Sequence, residues 1–465
     1  MRFSVTFLLF SVIPLVFGCF LLFELPLIYG PNCPGIRSEL SGSELSGGRI
    51  VRHSRKRYIG SYLLFVLRLY NMAKRKLKLC DEESSATFTF RPVLESLHES
   101  GILKEITATA KALCKKRNAA LTALNIRQCD GGVGYGVSFC RASCVTTAYE
   151  EEFYPFGSVF EEGLDVLSKV LNDFDYVPSN ENKKTMLKFL LEYLVNQDFK
   201  NFILKLRKSP IRNETQLAVA LSEHLFSQLT KPGYIVDNHG YNEDFIRCNC
   251  GCGKLLFDHQ GNTSIGHVIT WHGYLDIIVG QDNDVAVKVQ VDEDSPGGNT
   301  SIEVKKEKKI DQLCSLSTRP QIISQAVVFS FLQRKRHPRS CHFLIPCVGV
   351  NFIELVFFFY DSENDVLLES KPFPFMKGRH VNYDLVIALW LALNYKFSGS
   401  GLSEELKHAP KANFFEKAGE YLDVYRNELT QGDVNNTVPP AKVDPCQFND
   451  AKFVKVSKFT WPNFE

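Results

Sequence analysis

Apolar positions recur along this chain with two different periods, and the change from one to the other divides it. Between about residues 81 and 240 the spacing is helical: residues 94–113, 164–171 and 183–206 place apolar side chains three or four apart. Residues 215–229 carry the same pattern until Lys231, Pro232 and Gly233 stop it. From Tyr234 the apolar runs shorten to strand-like pieces, YIVD, FIRC, HVITWHGYLDIIVG and SIEVKK. A helix over residues 322–336 separates these from HFLIPCVGVNF, ELVFFFYD and VLLES, and a further helix covers residues 383–394. Helix, strands, helix, strands predicts an α/β chain of the α+β kind, a mixed sheet with helices packed against it. The expected division is a mainly helical region at 81–214, a core at 215–375, a helical extension at 376–426 and a polar tail at 427–465.

The first eighty residues follow neither period. Residues 3–29 are almost uninterruptedly apolar, broken by Pro14 and Glu24. The run matches one membrane span of roughly 20 residues and exceeds the apolar stretch of a signal peptide, about 7–15 residues. An anchor, a signal and a soluble chain all stay open. Only Arg2 precedes the run, whereas Arg49, Arg52, Arg55, Lys56 and Arg57 follow it, so an anchor here predicts that the bulk of the chain faces the cytoplasm. The expected location is therefore intracellular, membrane-anchored through residues 3–29. The basic run at 52–57 also reads as a nuclear address, and the signal reading implies secretion. Residues 31–80 read as a basic linker.

Composition narrows the class. With 45% hydrophobic and 23% charged residues the 465-residue chain is too apolar to be disordered. A net charge of +2 excludes a globally basic nucleic-acid binder, so any such surface is local. Fourteen cysteines are too few for a disulfide scaffold. The glycine-rich CDGGVGYGV at 129–137 lacks the Lys-Ser/Thr of a phosphate loop and reads as a turn.

Candidate chemistry concentrates between Trp271 and Lys306. Asp276 stands beside the apolar β-formers of WHGYLDIIVG, and SIEVKK places Glu303 and Lys305 two apart, hence on one face of a strand. Two carboxylates and an ammonium at one sheet edge outline a Mg²⁺ or Mn²⁺ hydrolysis site. The order helix-Glu223, strand-Asp276, strand-Glu303-x-Lys305, helix-Gln325 resembles the PD-(D/E)XK nuclease superfamily, over about residues 215–370. The resemblance implies a restriction-endonuclease-like core and metal-dependent hydrolysis of DNA or RNA phosphodiesters. Asp276, Glu303, Lys305 and Gln325 would be catalytic, with Asp276, Glu303 and Glu223 on metal. The alternative is the same fold without turnover, serving nucleic-acid or protein binding. Phe329 stands where an exonuclease-like branch of the family has Tyr. Lys306, Lys308, Lys309, Arg334, Lys335 and Arg336 are local basic runs suited to phosphate contact.

A second cluster, Cys248, Cys250 and Cys252, reads as a candidate Zn²⁺ site. Alternate strand positions lie too far apart for thiolates on one ion. The backbone must therefore curl, as Gly251 and Gly253 permit, with His259 or His239 as the expected fourth ligand.

Overall fold

Two parallel strands, Val285–Val289 and Leu344–Val350, lie at the centre of the largest sheet, joined by a crossover that contains the helix Arg319–Arg336. Parallel neighbours need such a crossover, and it covers one face of the sheet. The computed structural model describes residues 89–434, apart from 116–118, 197, 207–210, 212, 232, 238–245, 257–258, 281–284, 290–317, 379 and 433. The apolar run at 3–29, the basic linker at 31–80 and SIEVKK, with Glu303, Lys305, Lys306, Lys308 and Lys309, lie outside the described residues.

Among the described residues the sheet has ten strands. Its order runs Cys144–Pro155, Ala120–Cys129, Val366–Ser370, Glu354–Asp361, Leu344–Val350, Val285–Val289, Ile277–Val279, Tyr234–Asp237 and Gln260–Gly261, with Phe373–Pro374 beside Glu354–Asp361. Parallel and antiparallel pairs both occur, which makes the sheet mixed, as the apolar pattern predicts. Trp271–Tyr274 belongs instead to a small sheet with Ser264–Gly266, Val137–Ser138 and Thr430–Gln431.

The strand Glu354–Asp361 shows why the sheet is covered on both faces. Its sequence ELVFFFYD is buried from Leu355 to Asp361. Alternate side chains point to opposite faces. Phe357 and Phe359 meet the ring of Phe156 at 5.2 and 5.9 Å, whereas Tyr360 meets Phe331 of the Arg319–Arg336 helix at 5.9 Å. That helix is buried almost all round from Ile322 to Gln333, between the sheet and the helix Leu422–Asn427. The helix Tyr383–Leu393, capped by the Asn382 side chain, is buried from Leu385 onward and packs on Ile102–Leu113.

The region over 81–214, expected to be mainly helical, also carries strands. It supplies the helices Arg91–Glu99, Ile102–Leu113, Glu161–Asn172, Glu181–Val195 and Asp198–Leu206, and also two long strands, Ala120–Cys129 and Cys144–Pro155. Leu121 pairs with Ser370, which ties these strands to the central sheet. ALTALNIRQC is buried from Ala120 to Ile126, so it has no polar face to reveal a period of two. Among the described residues no helix is long and apolar enough to cross a membrane.

Candidate functional site

Asp276 directly precedes the strand Ile277–Val279, which pairs antiparallel with Val285–Val289. This hairpin carries Lys288 back beside Asp276. The Lys288 ammonium stands 3.1 Å from Asp276 Oδ2 and 3.0 Å from Glu214 Oε2. Glu214 opens the helix Glu214–Leu221, whose N-cap Asn213 accepts from the Gln216 N–H. The Val289 N–H donates to Asp276 Oδ2 at 2.6 Å and fixes that carboxylate. Exposure falls from 45% at Glu214 to 23% at Asp276 and 8% at Lys288, so the carboxylates face outward over an internal ammonium.

Burial pushes the Asp276 carboxyl above its ordinary range and Glu214 adds to the effect, while Lys288 opposes it. Burial works against the charged form of Lys288, but Asp276 and Glu214 outweigh it and hold its pKa above the ordinary lysine value. Gln325, fully buried on the Arg319–Arg336 helix, donates to the Tyr274 carbonyl at 3.4 Å and leaves Oε1 without a protein partner. Ala286 lies two residues before Lys288, on the same face of its strand, in register with the buried Cys347.

The second cluster gathers at the hairpin of Ile246–Arg247 and Leu255–Leu256. The Cys248 N–H donates to the Lys254 carbonyl, and Gly251 and Gly253 adopt φ of +87° and +72°. That left-handed backbone, open to glycine at little cost, folds the three thiols inward. The fourth member is His224, which lies in a π-helical turn, Ser222–Phe226. One ligand atom from each of His224, Cys248, Cys250 and Cys252 lies within 4.8 Å of all the others. The His224 Nε2 stands 3.1 Å from Cys250 Sγ and 3.5 Å from Cys248 Sγ, and Phe202 stacks on its ring. Burial raises the Cys248 and Cys250 thiols. At Cys252 burial is outweighed by donation from the Lys254 N–H and the neighbouring thiols, and its pKa is lowered.

The sequence-derived candidates thus part company. Asp276 lies beside Lys288, and Gln325 reaches the strand that precedes it. Glu223 is held by the Tyr234 hydroxyl at 3.0 Å and by Lys254, and it lines a cavity of about 330 Å³ with Tyr234, His259 and Phe189. The acid that the preceding helix presents to Asp276 and Lys288 is Glu214. His259 stacks on Tyr234 at 4.4 Å, and the thiols take His224 in its stead. Arg334 donates to the Ser362 carbonyl and covers the Phe343 ring, and Lys335 donates to the Leu429 carbonyl, so both basic groups serve the fold. Arg336 is exposed.

Lys288 and Glu214 are absent from the sequence-derived set. A lysine inside VAVKV carried the signal, because a charge within an apolar strand needs a partner. Comparison with family models, with curated proteins and with solved structures gives no match to this chain.

Proposed function

We propose that this chain is a metal-dependent phosphodiester hydrolase of the PD-(D/E)XK kind, with Lys288 as its lysine. The observation that carries this reading is the Lys288 ammonium set between Asp276 and Glu214 at 3.1 and 3.0 Å. A comparable order supports the reading: Glu214 on a helix, Asp276 just before a strand, Lys288 on the next strand and Gln325 on a helix. The donor set suits Mg²⁺ or Mn²⁺. Both carboxylates offer hard oxygens at an open rim, and Mg²⁺ commonly takes one or two carboxylates and keeps its waters. Buried Gln325 Oε1, without a protein partner, adds a further acceptor close to the strand that leads to Asp276. Asp276 and Glu214 would hold the ion, which when bound polarises a phosphate and acidifies a water. Lys288 stays protonated and is suited to neutralise charge that develops on the phosphate. Val289 N–H keeps Asp276 aimed.

The test uses the purified full chain with Mg²⁺ or Mn²⁺ on duplex DNA, single-stranded DNA and RNA. Cleavage is expected, and Asp276→Asn and Lys288→Ala should each lower its rate by about 100-fold or more. Undiminished cleavage by both folded variants would mean a contaminant and remove the assignment. A second reading rests on Ala286, which puts a methyl group where the motif carries its second acid. On that reading the fold binds nucleic acid or protein without turnover. Salt-sensitive binding of nucleic acid with no cleavage in either metal would select it.

A further inference from the structure

The cysteine hairpin lies apart from the Lys288 cluster in sequence and in chemistry, and its role does not depend on the hydrolase reading. We propose that His224, Cys248, Cys250 and Cys252 hold one Zn²⁺ as a closed structural site, which clamps the Ile246–Leu256 hairpin to the helical segment that begins at Glu214.

Four observations meet there. The donor set is three thiols and one imidazole, a combination that tetrahedral Zn²⁺ takes in structural sites. Zn–S bonds of about 2.3 Å and Zn–N bonds of about 2.0 Å put neighbouring ligand atoms roughly 3.5–3.8 Å apart in a tetrahedron. The donors here stand 3.1, 3.2 and 3.5 Å apart in three of the pairs, and all lie within 4.8 Å. Shifts of about 1 Å or less therefore close the shell.

The thiols are free, and the 3.2 Å between the Cys248 and Cys250 sulfurs is far longer than a disulfide bond. Three thiols and an imidazole gathered within one ligand-sized space are donors of the kind that a borderline-soft cation takes.

The backbone is also arranged for the task. The two left-handed glycines turn the alternate cysteines of a hairpin onto one point. On the other side a π turn, a form often found at functional positions, delivers His224. Glu223 and Lys254, each adjacent to a donor or one residue beyond it, form an ion pair between the same two pieces of chain. With four protein ligands no position is left for a substrate or a reactive water, which marks the ion as structural.

The experiment uses the full chain, purified under reducing conditions without chelator. Elemental analysis should find one zinc per chain. Replacement by Co²⁺ should give intense visible bands of a tetrahedral ion and a near-ultraviolet thiolate charge-transfer band. His224→Ala and Cys250→Ser should each bind zinc at least 10-fold more weakly, while Cys140→Ser, an exposed thiol outside the cluster, keeps full stoichiometry. The cobalt spectrum of the unaltered chain decides the matter even where a variant misfolds. A folded, reduced chain that takes up neither Zn²⁺ nor Co²⁺, or one that gives the weak spectrum of octahedral cobalt, overturns the proposal.

Discussion

Lys288 is a charge at 8% exposure within a strand of valines and alanine, and its placement is tolerable only because Asp276 and Glu214 both reach it. Removing one partner of a buried pair strands the other, at about 3–5 kcal/mol. Glu214 is 45% exposed and Asp276 less so, which places Lys288→Met at the lower end, about 3 kcal/mol at neutral pH. The loss should depend on pH. Asp276 is already raised by burial, and without Lys288 its ionisation becomes a still greater burden on the fold. An acid with a raised folded pKa withdraws stability as pH climbs through its titration. The gap between native chain and Lys288→Met, read from urea melts, should therefore widen from pH 4 to pH 7; a constant gap would dissolve the pair. Lys288 itself has a raised pKa, so its contribution holds below the ordinary lysine value and fades only as pH rises through its folded value. At this scale the sequence disclosed one of the three members of the cluster. Asp276 was legible from its place before IIV. Lys288 was not, because a five-residue strand with a single charge reads as a weak apolar run, and the Glu-x-Lys spacing at 303–305 matched the motif more fully. Glu214 was hidden by its position at the first turn of a helix, where an acid is expected as a capping or dipole residue in any case.

Elements rich in β-branched or aromatic residues were legible as strands: Tyr234–Asp237, Glu354–Asp361 and Val366–Ser370 fall where the runs YIVD, ELVFFFYD and VLLES predict. The helices Arg319–Arg336 and Tyr383–Leu393 also lie on their predicted spans, give or take a turn. Ala120–Cys129 escaped because its alanines and leucines suit a helix equally, and burial decides what propensity leaves open. Cys144–Pro155 did carry β-formers in CVTTAY, but its EEE run broke the pattern. What locks these two strands to the sheet is partly aromatic. The Phe156 ring meets Phe160, Phe357, Phe359 and Phe373 at 5.2 to 5.9 Å and is fully buried. Phe156→Ala should cost about 3–5 kcal/mol and shift the urea midpoint down with an unchanged slope. A loss under about 1 kcal/mol would show that the cluster repacks and that the strands are held by their ladder alone.

For the whole molecule the consequence is that no boundary falls at residue 215. The sheet runs unbroken from Cys144–Pro155 to Gln260–Gly261, and the described residues from 89 to 434 form one unit. A chain that starts at Thr215 loses two sheet strands and Glu214, and leaves Val366–Ser370 as a bare edge. It should show no cooperative urea transition, whereas the full chain should; a sharp transition in the truncated chain would restore the separate core that the apolar pattern suggested. The helical segment Glu214–Leu229 joins the scales, since Glu214 meets Lys288 from its first turn and His224 meets the thiols from further along. His224 lies within the wide turn at Ser222–Phe226 itself. The wide turn at Ser222–Phe226 accommodates one residue more than an α turn does. Wound as α throughout, everything beyond it would swing by about 100° around the axis. The surplus residue thus works as a phase shifter for the last turn of the rod: Ser227–Leu229 face directions that an unbroken α-helix from Glu214 would not give them.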